Sequence, residues 1–213
     1  MTPPVHPAAR RAPTPSTVVS IAAARSDAEV VRAAQRGDRH AMGVLYDRHA
    51  PYVQRVIRRV LGADVETADL LQDTFLAAFR GLVGLREPAQ FRGWVARIAV
   101  HTVRSRLRRR RALRWLSFGA EPPEVETVAL DPSARQALRR AYAILEKLPV
   151  EERLVFSLCH LEGMTMDELA QACGVSVATA KRRLARARER VEKLARHDPA
   201  LRGLVDSEDD HEP

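Results

Sequence analysis

The sequence predicts an all-α chain: two small helical domains joined by an extended linker, the second ending in a helix-turn-helix. Three observations carry this. Through most of positions 27–197, apolar residues recur at three- and four-residue steps, the period of one helix face. Aromatics are only 5% of the 213 residues while apolar residues reach 46%, in a mix of Ala, Leu, Val and Arg that favours helices over sheets. Between two periodic blocks lies 113–132, with Trp115, Phe118, Pro122, Pro123, three glutamates and little periodicity, which reads as the linker.

Residues 1–26 hold Pro3, Pro4, Pro7, Pro13 and Pro15 with Arg10, Arg11, Arg25 and no acid, a composition expected of a disordered basic arm. The first domain, 27–112, opens with Val30, Val31 and Ala34 in phase. Gly37-Asp38 breaks that run, and Asp38 can cap a second helix reaching Leu61, with a kink or short break expected at Pro51. Gly62-Ala63-Asp64 ends it. A third helix spans Thr67–Val83 on the stripe Leu70, Leu71, Phe75, Ala78, Phe79 and Leu82, and Gly84–Gln90 with Pro88 reads as a loop. The fourth begins near Phe91 and runs through Trp94, Val95, Ile98, Ala99, Val103 and Leu107 into Arg108-Arg109-Arg110-Arg111.

The second domain, 133–197, starts at the helix signal Asp131-Pro132-Ser133. Ala134, Leu138, Ala141, Ile144, Leu145 and Leu148 form its first stripe, and Pro149 opens a helix with Leu154, Val155, Leu158 and Leu161 inward. Thr165 then starts a short helix carrying Leu169, Ala170 and Ala172 on one face. Gly174 supplies the reversal and Ser176 caps a second helix that buries Val177, Ala180 and Leu184. Lys181, Arg182, Arg186 and Arg190 point outward from it, as a helix entering a major groove requires. An ordinary αα-hairpin with a solvated basic face would show the same local pattern. Residues 198–213 form an acidic tail, whose last eight positions, 206–213, carry five acids and no Lys or Arg.

The formal net charge of +8 and pI near 10.4 suit a polyanionic partner. Arginines at 104, 106, 108–111 and 114 repel one another on a free helix and make sense if phosphates neutralise them. No apolar stretch is long enough for membrane insertion, and no h-region follows Arg10-Arg11, so the expected compartment is the cytoplasm. Cys159 and Cys173 read as small buried residues, and with His160 they lack a fourth metal ligand. Asp69 and Asp73 stand without a nucleophile, ligand set or phosphate-binding loop, so neither catalysis nor a cofactor is expected.

Three stretches, in this order, resemble the small extracytoplasmic-function (ECF) group of RNA polymerase sigma factors. Asp69-Leu70-Leu71-Gln72-Asp73-Thr74-Phe75 is similar to the family's D-x-x-Q-[ED]-x-F element. Phe91-Arg92-Gly93-Trp94-Val95-Ala96-Arg97-Ile98-Ala99 is similar to F-x-x-W-L-x-x-I-A. Residues 174–184 with Arg186-Ala187-Arg188 resemble G-V-[SP]-x-G-T-V-K-S-R-L-x-R-A-R, and Pro149, Arg153 and Val155 fit L-P-x-x-x-R-x-V. The resemblance implies a protein that binds core RNA polymerase and double-stranded promoter DNA with a melted −10 strand, and that is usually held by an anti-sigma factor. A stand-alone helix-turn-helix regulator is the alternative, but no dimerising segment is evident and the first domain would go unexplained.

By the same resemblance, Asp69, Leu71, Gln72, Asp73 and Phe75 would meet the polymerase clamp. Arg86, Gln90 and Phe91, in or beside the loop that captures a flipped base, would serve the −10 element together with His101, Arg104, Ser105, Arg108 and Arg109. Ser176, Thr179, Lys181, Arg182, Arg183, Ala185 and Arg186 would serve the −35 element. His101 stands where Asn is usual, Ser105 where Asp or Asn is common, Ala178 for Gly and Arg182 for Ser. These are candidate base-reading positions, so the departures bear on which promoter is read.

Overall fold

The computed structural model describes residues 25–62, 67–116 and 132–198, all helices and short connections, with no strand among the described residues. The structure of the arm up to residue 24, most of the linker and the acidic tail from residue 199 lies outside them, as do Ala63 and Asp64. The elements are α1 (Asp27–Gln35), α2 (Arg39–Leu61), α3 (Thr67–Gly81), α4 (Phe91–Leu116), α5 (Pro132–Lys147), α6 (Val150–Phe156), α7 (Met166–Cys173) and α8 (Val177–Arg196).

Local chemistry explains most boundaries. Ser26 and Glu29 form a reciprocal capping box that opens α1, and the hydrogen bonds from Ser26 hold the Glu29 carboxyl below its usual range. Asp38 Oδ1 accepts from the amides of His40 and Ala41 to start α2. Gly62 ends α2 at φ +87, in the region where a side chain is strained. The helix passes Pro51 without a break, and Pro51 sits on its exposed side. The expected loop at 84–90 is tighter than a loop: it holds the 3₁₀ turns Leu82–Gly84 and Pro88–Gln90. Gln35 Nε2 fastens it by donating to the carbonyls of Leu82 (3.0 Å) and Leu85 (2.8 Å). Because α4 continues to Leu116, residues 113–116 are helical rather than extended linker.

In the second domain, α6 closes in a π-helical turn, Ser157–Leu161. Thr165 and Glu168 make a second capping box, whose hydrogen bonds lower the Glu168 carboxyl. Gly174 adopts φ +68 and turns the chain into α8, which Ser176 caps by accepting from the Thr179 amide at 3.2 Å.

The two domains do not sit apart. Val31, Leu45, Ile57, Phe91, Val95 and Val103 of the first share one continuous apolar cluster with Leu154, Leu158, Leu169 and Leu184 of the second. Helix α4 packs on α7 and α6, and α2 packs on the π-helical turn. Arg153, only 3% exposed, donates from Nε to the Val60 carbonyl at 2.9 Å. Tyr142 donates its hydroxyl to the Arg58 carbonyl (3.2 Å) and lays its ring over Gly62, where a Cβ would stand 3.3 Å from Cδ1. Helical periodicity identifies which residues are inward within each domain but carries no signal that the two inward sets meet.

Candidate polymerase and nucleic-acid interfaces

On α3, Asp69, Gln72 and Asp73 are exposed on one face, as a three- and four-residue spacing dictates, and Leu71 is half-buried. Phe75 is a correction. It is 2% exposed, with its ring 4.7 Å from Tyr46 and 5.7 Å from Phe79, and belongs to the core rather than to a partner surface. Leu76 takes the outward place instead: it is 44% exposed, four residues after Gln72 and three after Asp73. The signal was available as a leucine lying off the buried stripe.

Across from this face, an open groove of ≈ 550 Å³ runs between α3 and α4. Its walls bring Asp69 and Asp73 beside His101, Ser105 and Arg109, joining residues that the sequence assigned to two different partners. His101, Ser105, Arg108 and Arg109 are all exposed along α4. Arg104 is not: its side chain is 17% exposed, donating to the Cys173 carbonyl at 2.9 Å and lying 3.2 Å from Glu151.

Phe91 is the second correction. Fully buried at the start of α4, it sits edge-on to His49 (4.9 Å) and 5.9 Å from Trp94, so no unstacked base reaches it in this arrangement. Arg86 and Gln90 remain exposed around it. Gln90 donates to Glu87 at 2.6 Å and accepts from Gln171 of α7 at 3.4 Å.

His49 is buried with Nε2 2.9 Å from Asp27 Oδ2, and Arg48 holds the other oxygen at 2.8 Å. Burial pulls its pKa below the ordinary 6.5, more than Asp27 raises it. A base depressed on folding binds more protons when unfolded, so stability is full above about pH 6.5 and is lost as pH falls toward the folded value. Denaturation midpoints of the wild type should therefore decline from pH 7 to pH 5. His49→Gln should flatten that slope; an unchanged slope would show that His49 is not its source.

On α8, Lys181, Arg182, Ala185 and Arg186 are exposed together. Ser176 and Thr179 hydroxyls lie 2.9 Å apart within the cap, and Arg182 donates to Thr179 Oγ1 at 3.3 Å. Arg183 faces away from that group, donating to Glu151 at 2.9 Å, so it stands apart from the other −35 candidates. Arg190 is 3.1 Å from the buried Glu152, and Arg188 donates to His160 at 3.1 Å. Burial pushes the Cys173 thiol up to about 11, leaving it a packing residue at neutral pH. Among the described residues no group of three or more His, Cys, Asp or Glu could hold a metal ion, and no helix is long and apolar enough to cross a membrane.

Two family models match the chain: sigma-70 region 2 over residues 45–113 and sigma-70 region 4 over residues 134–191. The ECF RNA polymerase sigma factor SigM of Mycobacterium tuberculosis H37Rv is 35% identical over 170 residues, covering 80% of this chain and 85% of SigM. The chain belongs to the ECF group of RNA polymerase sigma factors. Sigma factor NccH of Alcaligenes xylosoxydans is 32% identical over 175 residues, covering 79% of this chain and 94% of NccH. The solved structure of CnrH in complex with the cytosolic domain of CnrY matches with TM-score 0.60 and 27% identity, over 82% of this chain and 99% of that one. Sigma factors are transcription initiation factors without catalysis of their own, so this sigma factor is an interaction protein.

Proposed function

We propose that this sigma factor divides its work between three surfaces. The α3 face of Asp69, Gln72, Asp73 and Leu76, flanked by half-buried Leu71, meets core RNA polymerase. The α4 side chains His101, Ser105, Arg108 and Arg109, joined by Arg86 and Gln90, meet the −10 element. The α8 side chains Lys181, Arg182, Ala185 and Arg186 enter the major groove at the −35 element, with Ser176 and Thr179 toward phosphate. The observation that carries this reading is the outward basic face of α8 on a well-capped helix-turn-helix, in one chain with the acidic face of α3.

The chain works in the cytoplasm, where polymerase is. An anti-sigma factor is a further partner, as the resemblance to the ECF group implies, and CnrH offers a parallel in being solved with the cytosolic domain of CnrY. Run-off transcription with core polymerase over genomic promoter fragments tests the whole reading. Initiation from promoters with paired −35 and −10 elements supports it, and failure to form a complex with core polymerase defeats it.

Within that assay, Arg182→Ala should change promoter choice while leaving core binding intact, because a bidentate arginine–guanine contact contributes about 1–3 kcal/mol of discrimination. Promoter preference scored across the fragment set, alongside a core pull-down, checks both halves. Lost core binding would overturn the division of labour.

A further inference from the structure

The segment between α3 and α4 is held in place from α1. Gln35, the last residue of α1, reaches it with a single nitrogen: Nε2 donates to the Leu82 carbonyl at 3.0 Å and to the Leu85 carbonyl at 2.8 Å. Both bonds are partly buried, and they bridge 47 and 50 residues of chain. The reversed amide would set Oε1 against two carbonyl oxygens, so only one orientation is stable. The Leu82 carbonyl also accepts from the Leu85 amide at 3.1 Å, closing the first 3₁₀ turn, and Gln35 fills its second lone pair. Beneath these bonds the side chains of Leu82 and Leu85 are buried in the apolar cluster.

The other end of α1 braces the far end of the same segment. Asp27 lies 2.9 Å from His49 Nε2, and the His49 ring sits edge-on to Phe91, where α4 begins. Between these anchors Arg86, Glu87, Ala89 and Gln90 are exposed. The backbone is thus fixed on both sides of a set of polar tips, so a base meets them without the cost of ordering a loop. We propose that Gln35 is a positioning residue for −10 recognition: it touches no DNA, and it holds 82–90 in the shape in which Arg86 and Gln90 discriminate an unstacked base. The proposal rests on the assignment of that segment to the −10 element and deepens it. Gln35 lies outside residues 45–113, the span of the region 2 match, and it reaches the segment only through the fold.

The test uses the full-length chain in holoenzyme, with a promoter taken from the run-off screen. Fluorescence anisotropy reads binding of a labelled single strand carrying the −10 element, each base replaced in turn by an abasic site. Gln35→Met keeps the side-chain length and removes the donor. Ser26→Ala removes the α1 capping box, loosening the same helix without touching the segment. Wild type should lose about tenfold or more in affinity at the unstacked position, and Gln35→Met should cut that ratio to about threefold or less. Ser26→Ala should keep the wild-type ratio. All three proteins should bind core polymerase equally and respond equally to a −35 substitution. Equal ratios in wild type and Gln35→Met overturn the positioning role and leave the −10 reading intact. An equal loss in both variants overturns it too, because loosening α1 would then suffice. A wild-type holoenzyme indifferent to every −10 position defeats the −10 reading itself, and the role of Gln35 with it.

Discussion

Phe91→Ala should destabilise the folded chain by about 3–5 kcal/mol, the usual cost of deleting a fully buried phenylalanine and leaving its cavity. For a chain of this size that corresponds to a fall in Tm of roughly 6–20 °C. The ring has no exposed surface, and it supports both His49 and Trp94 at the junction of α2 and α4. A base-capturing residue would behave differently: its loss would weaken −10 binding and leave the melting curve in place. Thermal unfolding by circular dichroism, with −10 strand binding measured well below the transition, separates these outcomes. A stable variant with a selective binding defect would return Phe91 to the interface.

The misassignment of Phe91 has a physical source. A motif states which residue type occurs at a position, while burial depends on what later chain segments bring against it. Phe75 failed for the same reason: its spacing suited both the core stripe and the acidic face, and Tyr46, from a different helix, decided between them. Residues governed by local rules were legible. Asp38, Ser176 and Gly174 each act within a few residues of themselves, and all perform as capping and turn chemistry predicts. The basic face of α8 was legible too, because charge on an amphipathic helix has only one way to point. Arg104 and Arg183 were not. Arg183 meets Glu151 through the packing of α8 on α6 inside the second domain, and Arg104 meets it only because the first domain docks on the second.

That docking makes the second large prediction, at Arg153. The last four carbonyls of α2 have no partner within their helix. The Gly62 amide answers Arg58, and the second domain supplies two further donors: Tyr142 to the Arg58 carbonyl and Arg153 to that of Val60. One domain thus caps a helix of the other. Arg153→Ala strands the buried Val60 carbonyl and opens a cavity, and should cost about 2–4 kcal/mol. Tyr142→Phe removes a more exposed bond and should cost about 0.5–1 kcal/mol. Urea unfolding followed by far-ultraviolet circular dichroism measures both, and the ranking matters as much as the size. If the domains were independent in solution, water would satisfy Val60. Arg153→Ala would then leave unfolding of the first domain unchanged, and the shared core would be the claim to abandon.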